Sequence, residues 1–579
     1  MGVLSWVAQA APPLSVSELH YQDPEDGDLD FLELINTGST TYALTGATFS
    51  SGISYTFTAN SVVAAGERLV LVRDRAKFIG RYGTAGIRLA EGNFTGGFSS
   101  NGELVALVNS QGATILEFTY GVNGQWPSRP SGLGSTLECV NPLGNLNDPT
   151  NWRASAEWLG SPGRAGAGPQ RVVVINEVLA HSDPPLEDAI ELFNLTDQPV
   201  EIGGWYLSNS RANPRKFKIP TGTIIAAKGY QVFYELAGTG SPSGFNPLGQ
   251  GDSPNFTFSS AQGDEAVLMS ADASGNFKLW MDTVSFEATA NGQSLGRFPN
   301  GTGKLTTLSA LTFGTSVTAD FPAEFLGVFR TGTGASNAAP RVGPLVFRRI
   351  QYHPADGNDE FLEVQNNAST AVPLFDPEHP ENTWRLRDGV DFDFPPGVTL
   401  ESGARLLVVP LAPAVFRTKY GIPARLPIYG PWTNALNNAG ERVALYRPDP
   451  PQGPQHPDAG FVPYVVAEAV EYSPLAPWPT AADGTGPALL RRDVLQFGDD
   501  PAAWGVETTS PPEPPLLGII PITTGVRLNF ESELGRTYRL ERQLAWGGDW
   551  TDLGLVPASG DRVEVDLGPT PGFFRIRVE

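Results

Sequence analysis

Asp30-Phe-Leu-Glu-Leu-Ile-Asn36 returns as Asp188-Ala-Ile-Glu-Leu-Phe-Asn194 and again as Glu360-Phe-Leu-Glu-Val-Gln-Asn366. Each copy follows a strand-like run and an acidic, proline-containing turn. The three preceding runs are Val16-Ser-Glu-Leu-His-Tyr21, Val174-Ile-Asn-Glu-Val-Leu179 and Val346-Phe-Arg-Arg-Ile-Gln-Tyr352. Within the motif the period is two: Leu32 and Leu34 share one face while Glu33 points the other way, the pattern of a strand. Arg68-Leu-Val-Leu-Val72 and Arg405-Leu-Leu-Val-Val409 are continuous apolar strands, each launched from a glycine-containing turn at Gly66 and Gly403. Two antiparallel sheets packed face to face bury such strands. One short helix per copy is expected at Arg75–Tyr82 and at Ala414–Tyr420.

Outward from the motif, the first and third copies stay in step. Phe78-Ile-Gly-Arg-Tyr-Gly83 matches Phe416-Arg-Thr-Lys-Tyr-Gly421 at an offset of 338 residues, as does Asn101-Gly-Glu-Leu-Val-Ala-Leu107 with the region of Ala439-Gly-Glu-Arg-Val-Ala-Leu445. Trp126-Pro127 matches Trp478-Pro479, and Trp152 matches Trp504, at an offset of 352. Constant offsets that step at loops are what duplicated domains with insertions produce. The second copy has diverged, although Gly263-Asp-Glu-Ala-Val-Leu268 fills the same slot. Connectors at Ser161–Pro169, Gly332–Pro340 and the stiff Ser510-Pro-Pro-Glu-Pro-Pro515 divide the chain. The expected units are 1–13 (a signal-peptide remnant or disordered overhang), 14–166, 171–335, 342–510 and a small β-module at 516–579.

Bulk properties agree with an all-β reading. The chain has 579 residues, too many for one core. Its 65 Gly and 51 Pro interrupt many short apolar runs, and only 17% of residues are charged. A net charge of −23 repels phosphate backbones and weighs against nucleic acid. Cys139 is the single cysteine, so an intrachain disulfide is excluded; its setting reads as a small buried apolar position. No run of about 18 apolar residues suggests a membrane helix. The start, Gly2-Val-Leu-Ser-Trp-Val7 followed by Ala8-Gln9-Ala10, has the form of a signal-peptide tail with a small-x-small cleavage site. A secreted or cell-surface protein, and a monomer, is expected.

The three copies resemble lamin-tail domains, the immunoglobulin-like sandwich of nuclear lamins and of many secreted bacterial proteins. The resemblance runs over roughly residues 14 to 510. It rests on the opening strand and acidic-aliphatic strand quoted above. Then come Gly204-Trp-Tyr-Leu207 (weakened to Thr383-Trp-Arg-Leu386 and Leu44-Thr-Gly-Ala47), Phe217-Lys-Ile-Pro-Thr-Gly222 with Phe392-Asp-Phe-Pro-Pro-Gly397, the Gly-Glu-x-Val strand, and the closing Asn151-Trp-Arg-Ala-Ser155. Copy two lacks the Arg-Tyr-Gly element, the Trp-Pro and the closing Trp. The expected fold class is therefore all-β: three tandem immunoglobulin-like (lamin-tail) sandwiches and a small C-terminal β-module. The resemblance implies adhesion, scaffolding or tethering rather than catalysis.

Candidate chemistry is sparse. No H-E-x-x-H, G-x-S-x-G, phosphate-binding loop or dinucleotide fingerprint occurs, and no enzyme activity is expected. The histidines His20, His181, His353, His379 and His456 read chiefly as turn packing. Acidic turns carry Asp23, Asp26, Asp28 and Asp30 in copy one, and Asp356 and Asp359 in copy three, with Gly27 and Gly357 among them. Hard oxygens at alternating spacing suit Ca²⁺; the competing reading is a solvated, self-repelling turn that blunts a sheet edge. Apart from that ion, no cofactor is expected. The recurring Glu33, Glu191 and Glu363 suggest a structural hydrogen bond or ion pair. Trp126 and Trp478 are candidates for stacking on sugar rings, against covering the open end of each sandwich. The leading function is an interaction or scaffold protein facing a protein or polysaccharide partner at the cell surface. The alternative is an accessory, tethering region of an extracellular hydrolase or kinase-like system.

Overall fold

The computed structural model describes residues 13–24, 28–183, 186–236, 244–247, 256–314, 332–454, 458–506, 517–522, 525–531, 537–544, 549–558, 562–568 and 572–578. The chain is all-β and its sheets form immunoglobulin-like sandwiches. In the first, a five-stranded sheet runs in the order Trp152–Ala154, Leu137–Cys139, Leu14–His20, Phe31–Asn36, Arg68–Val72. It faces a sheet of Thr114–Tyr120, Glu103–Val108 and Thr48–Ser51. The second pairs Tyr230–Tyr234, Ala189–Asn194, Val173–Leu179, Leu295–Phe298, Lys304–Thr307 with Phe217–Lys218, Tyr206–Ser208, Asp264–Ala271, Phe277–Phe286. The third pairs Ile428–Tyr429, Arg405–Val408, Phe361–Asn366, Leu345–Gln351, Leu489–Arg491, Trp504–Val506 with Phe392–Asp393, Arg385–Arg387, Glu441–Pro448, Tyr464–Tyr472.

Period-two patterning builds each core. Leu32 and Leu34, Ile190 and Leu192, and Leu362 and Val364 are wholly buried between facing sheets. At the end of this strand stands a buried asparagine whose chemistry explains its recurrence. The Asn36 amide donates to the carbonyls of Thr40 (2.8 Å) and Val63 (2.8 Å), and its oxygen accepts from Gly38 N (2.9 Å). Asn194 repeats this with Gln198, Ile225 and Thr196, and Asn366 with Thr370, Leu400 and Ala368. Two donors and an acceptor on one short side chain close the turn, a combination that Asp and Leu both lack. Every opening strand also carries a β-bulge at one place, between Val16 and Glu18, Ile175 and Glu177, and Phe347 and Arg349.

Helices form at Arg75–Tyr82 and Pro413–Tyr420, each pinned by one buried phenylalanine, Phe78 or Phe416. At eight residues they are too short to persist alone, and packing holds them. Cys139 is half-buried against the first core rather than fully inside it, because its strand ends there and the next residue, Val140, faces solvent. C-terminal strands form two three-stranded sheets around Leu528, Phe530, Tyr538, Leu540, Val563 and Ile576. The expected signal-peptide remnant and the Ser510–Pro515 linker lie outside the described residues, apart from Pro13. Among the described residues no helix is long and apolar enough to cross a membrane.

Candidate functional site

The acidic turns are held by cations from their own sandwich. Asp28 pairs with Lys77 (2.6 Å) and Arg73 (3.5 Å), and Lys77 keeps its carboxyl below the usual range. Asp30 is buried beside Arg73 (3.4 Å), and burial outweighs that cation to push its carboxyl up to about 6. Asp23 is buried and Asp356 exposed, while Asp26 lies outside the described residues. In the third sandwich Asp359 accepts from Lys419 Nζ (2.7 Å) and the Tyr420 hydroxyl (2.9 Å). Each turn is thus docked on its short helix. Among the described residues no three His, Cys, Asp or Glu side chains converge in a metal-holding group. His20 and His181 bond backbone carbonyls through Nδ1, at Leu29 (3.0 Å) and Thr289 (2.8 Å), and His353 meets Asp483 (2.5 Å).

Trp126 and Trp478 come together with the closing tryptophans. Their rings lie 6.3 Å from Trp152 and 6.2 Å from Trp504. Trp478 is 7% exposed, and Trp126 is partly buried against the first core. Trp152 Nε1 donates to Leu146 O (2.9 Å) and Trp504 Nε1 to Gly498 O (2.7 Å), so both ends close alike.

The recurring glutamate opens onto something sequence reading missed. Across the bulge, Glu18 stands opposite Glu33, Glu177 opposite Glu191, and Arg349 opposite Glu363. Two sandwiches therefore bury a carboxylate pair, with Arg68 also reaching Glu33 (2.8 Å), where the third sets the partly exposed Arg349 on a buried Glu363 (2.5 Å). Thr136 donates to Glu18 (2.5 Å) and Ser294 to Glu177 (2.5 Å); in the third sandwich the same place is Ala488, since a guanidinium needs no donor. The chain leaving each of the first two sandwiches completes the cage. Ser161 N and Gly163 N bond Glu18 (2.8 Å) and Glu33 (2.5 Å), and Thr312 N and Ala335 N bond Glu177 (3.2 Å) and Glu191 (3.0 Å). Burial raises all four carboxyls, Glu177 to about 7, and the facing charge raises Glu18 and Glu191 further. The signal was a Glu at one register position of the opening strand, Glu18 and Glu177, where the third copy carries Arg349.

A second buried constellation joins the two sheets. Arg297 grips Asp282 through both carboxylate oxygens (2.8 and 3.0 Å), and Arg491 pairs with Glu468 (2.5 Å) at the equivalent places. The first sandwich has Cys139 and Leu116 there, so the half-buried thiol stands where its relatives place a guanidinium. These pairs are consumed by the fold and offer no free acid or base.

The open ground is the junction of the second and third sandwiches, a cleft of about 940 Å³. Its walls are Leu305, Phe298 and Glu287 on one side and the strand Tyr464–Tyr472 with Arg442 and Leu475 on the other. Ion pairs Lys304–Glu471 and Arg442–Glu287 (3.3 Å) span it, and Asp499 accepts from Glu471 N (2.7 Å). Phe298 and Leu475 remain 39% and 70% exposed at the cleft, a patch that water covers poorly.

The Lamin Tail Domain family model matches residues 7–122 and 167–288. Over those residues, which hold most of the first sandwich and the second through its edge strand, the chain is similar to that domain. A solved DUF4876 family protein from Bacteroides thetaiotaomicron is similar at 12% identity over 43% of this chain and 80% of its own, with a TM-score of 0.17. No curated protein matches the chain.

Proposed function

We propose that this chain is a secreted or cell-surface interaction protein that presents lamin-tail sandwiches in tandem to a protein or glycan partner, without catalysis. In this reading 342–510 is a third lamin-tail copy and 516–579 a terminal module. The third copy is supported by the shared bulge, the Asn366 turn and the Trp478–Trp504 closure that mirrors Trp126–Trp152. One observation carries the functional reading: the acids around the large cleft are committed to partners in the chain itself. Glu287 is paired with Arg442, Glu471 with Lys304 and Glu468 with Arg491, while Asp499 accepts Glu471 N. A hydrolytic site needs a titratable group free to meet its substrate; an adhesive surface needs apolar area and hydrogen-bonding edges.

The test is retention of the full chain on immobilised polysaccharides and envelope proteins, with turnover of the same polymers measured in parallel. Binding without turnover is expected. Turnover that disappears on Glu287→Gln or Glu471→Gln would overturn the reading in favour of an enzyme.

A further inference from the structure

The two linkers between sandwiches use strand edges differently. In both the second and the third sandwich, one sheet ends on a long strand, Phe277–Phe286 and Tyr464–Tyr472 respectively. The first linker adds itself to the former as a short extra strand: Trp158 N donates to Lys278 O (2.9 Å), Trp280 N donates to Ala156 O (2.8 Å), and Glu157 bridges Leu279. The Trp158 ring then seats against Phe277 (4.8 Å) and Trp280 (5.9 Å). The second linker turns back instead. Arg341 N donates to Thr307 O (2.8 Å) and Ser309 N to Ala339 O (2.9 Å), which closes the edge of the sandwich it has just left. Among the described residues, no strand pairs the outer edge of Tyr464–Tyr472.

That open edge lines the cleft. Nearly every residue from Val465 to Tyr472 borders it, not every second one, which is what a strand shows at its edge rather than its face. Glu471 turns its N–H outward to Asp499, so by alternation Ala469, two places earlier in an unbroken register, also presents its N–H outward. The linker crosses at Gly343, where a Cβ would stand 2.6 Å from the Ala467 carbonyl, and Asp499 holds Glu471 N (2.7 Å), so Ala469 lies between these two contacts. Its volume lies near the top of the roughly 300–1,000 Å³ range of ligand sites. The struts across it are the exposed Lys304–Glu471 pair and the partly buried Arg442–Glu287 pair, where the Tyr446 hydroxyl also donates to Glu287 (2.9 Å).

We propose that this cleft binds an extended peptide of a partner protein, which adds as a strand to the edge of Tyr464–Tyr472 around Ala469 and places an apolar or aromatic side chain against Phe298 and Leu475. The chain supplies its own precedent in Ala156–Trp158 on the corresponding edge. Main-chain hydrogen bonds supply affinity in such additions and the side-chain pocket supplies choice. This rests on the reading of the chain as an interaction protein and names its ligand class.

The probe is a phage-displayed library of random linear peptides of about 10 residues, the upper length of ordinary strands. Panning on the full chain is expected to enrich peptides with an apolar or aromatic residue among strand formers. Ala469→Pro, which deletes an outward N–H on an edge strand that tolerates proline, is expected to weaken them about tenfold or more, with Ala469→Ser unaffected. Hydrogen exchange reads the same bond without mutation: exchange of the Ala469 amide slows when peptide is added. No enrichment, equal binding by the proline variant, or unchanged exchange overturns the proposal. Retention on a glycan or protein column that persists through Ala469→Pro would leave the interaction reading standing and remove the peptide cleft alone.

Discussion

The two junctions between sandwiches are built from corresponding parts and end up with opposite characters. At the first, the linker strand reaches forward onto the next sandwich, and Leu29, Trp158, Leu159, Val267, Met269, Phe277 and Trp280 close into a dry cluster. Arg129 caps it with its guanidinium 5.2 Å from the Trp280 ring, and the Tyr82 hydroxyl donates to Leu159 O (2.6 Å). At the second, the linker reaches backward and the facing walls meet through Lys304, Glu471, Arg442 and Glu287 around open space. A repeat therefore determines the sandwich, not the way sandwiches join. That is decided by a few linker residues and by which edge they pair with.

Trp158→Ala attacks the first junction hardest. Aromatic-to-alanine truncation in a packed cluster costs about 3–5 kcal/mol, and here the loss falls on the coupling between two sandwiches. Calorimetry is expected to split one cooperative transition into two, and limited proteolysis to begin cutting at 156–168. A single transition with an unchanged midpoint would mean that the cluster does not couple them.

The carboxylate cages tie each linker to the sandwich it leaves, and their effect depends on pH. Glu177 titrates at about 7 folded and near 4.3 unfolded, so between those values the native state binds more protons. Its contribution is accordingly full below about pH 4, falls as pH rises through that window, and is flat above about pH 7. Glu177→Gln is expected to match the parent near pH 4 and to be more stable at pH 8, by about 4 kcal/mol if the whole shift is realised. Denaturant midpoints across that range check the sign; a variant that loses stability as pH rises just as the parent does would refute it.

Gly134→Ala probes the first junction more gently. Gly134 has φ +78°, and a Cβ there would sit 2.2 Å from the Trp158 ring. The backbone conformation disfavours a side chain and the ring has no slack, so a cost of about 1–3 kcal/mol is expected, smaller than for losing the ring itself. The corresponding change beside the open cleft, Gly343→Ala, brings a Cβ within 2.6 Å of the Ala467 carbonyl and is expected to push the linker away from that strand edge.

How much was legible follows from which forces act locally. Alternation in Phe31–Asn36 and its repeats exposed the sandwich, and the short helices stood in the Phe-x-x-x-Tyr-Gly spacing of 78–83 and 416–421. The recurring Glu33 was visible as a position, whereas its partner Glu18 was not, because two carboxylates facing each other contradict ordinary pairing rules and depend on donors more than a hundred residues away. For Trp126 and Trp478 the sequence set sugar stacking against covering the open end of each sandwich, and their packing on Trp152 and Trp504 is visible only once that end is folded. The cleft left no trace in sequence. It is made by Phe298, Arg442 and Leu475 from separate sandwiches, and by the turning back of a linker whose glycine- and alanine-rich composition resembles that of the first.

Lys304→Ala closes the series with the least effect. Lys304 and Glu471 are each more than half exposed, so water screens their attraction and their side chains give up rotamer freedom to meet. The expected change in stability is about 0–1 kcal/mol and vanishes at high salt. The informative readout is therefore not melting but spacing: small-angle scattering at low salt is expected to show the second and third sandwiches moving apart, while the first and second keep their distance. If the second junction were as rigid as the first, the variant and the parent would scatter alike, and the contrast between backward and forward linkers would lose its mechanical meaning.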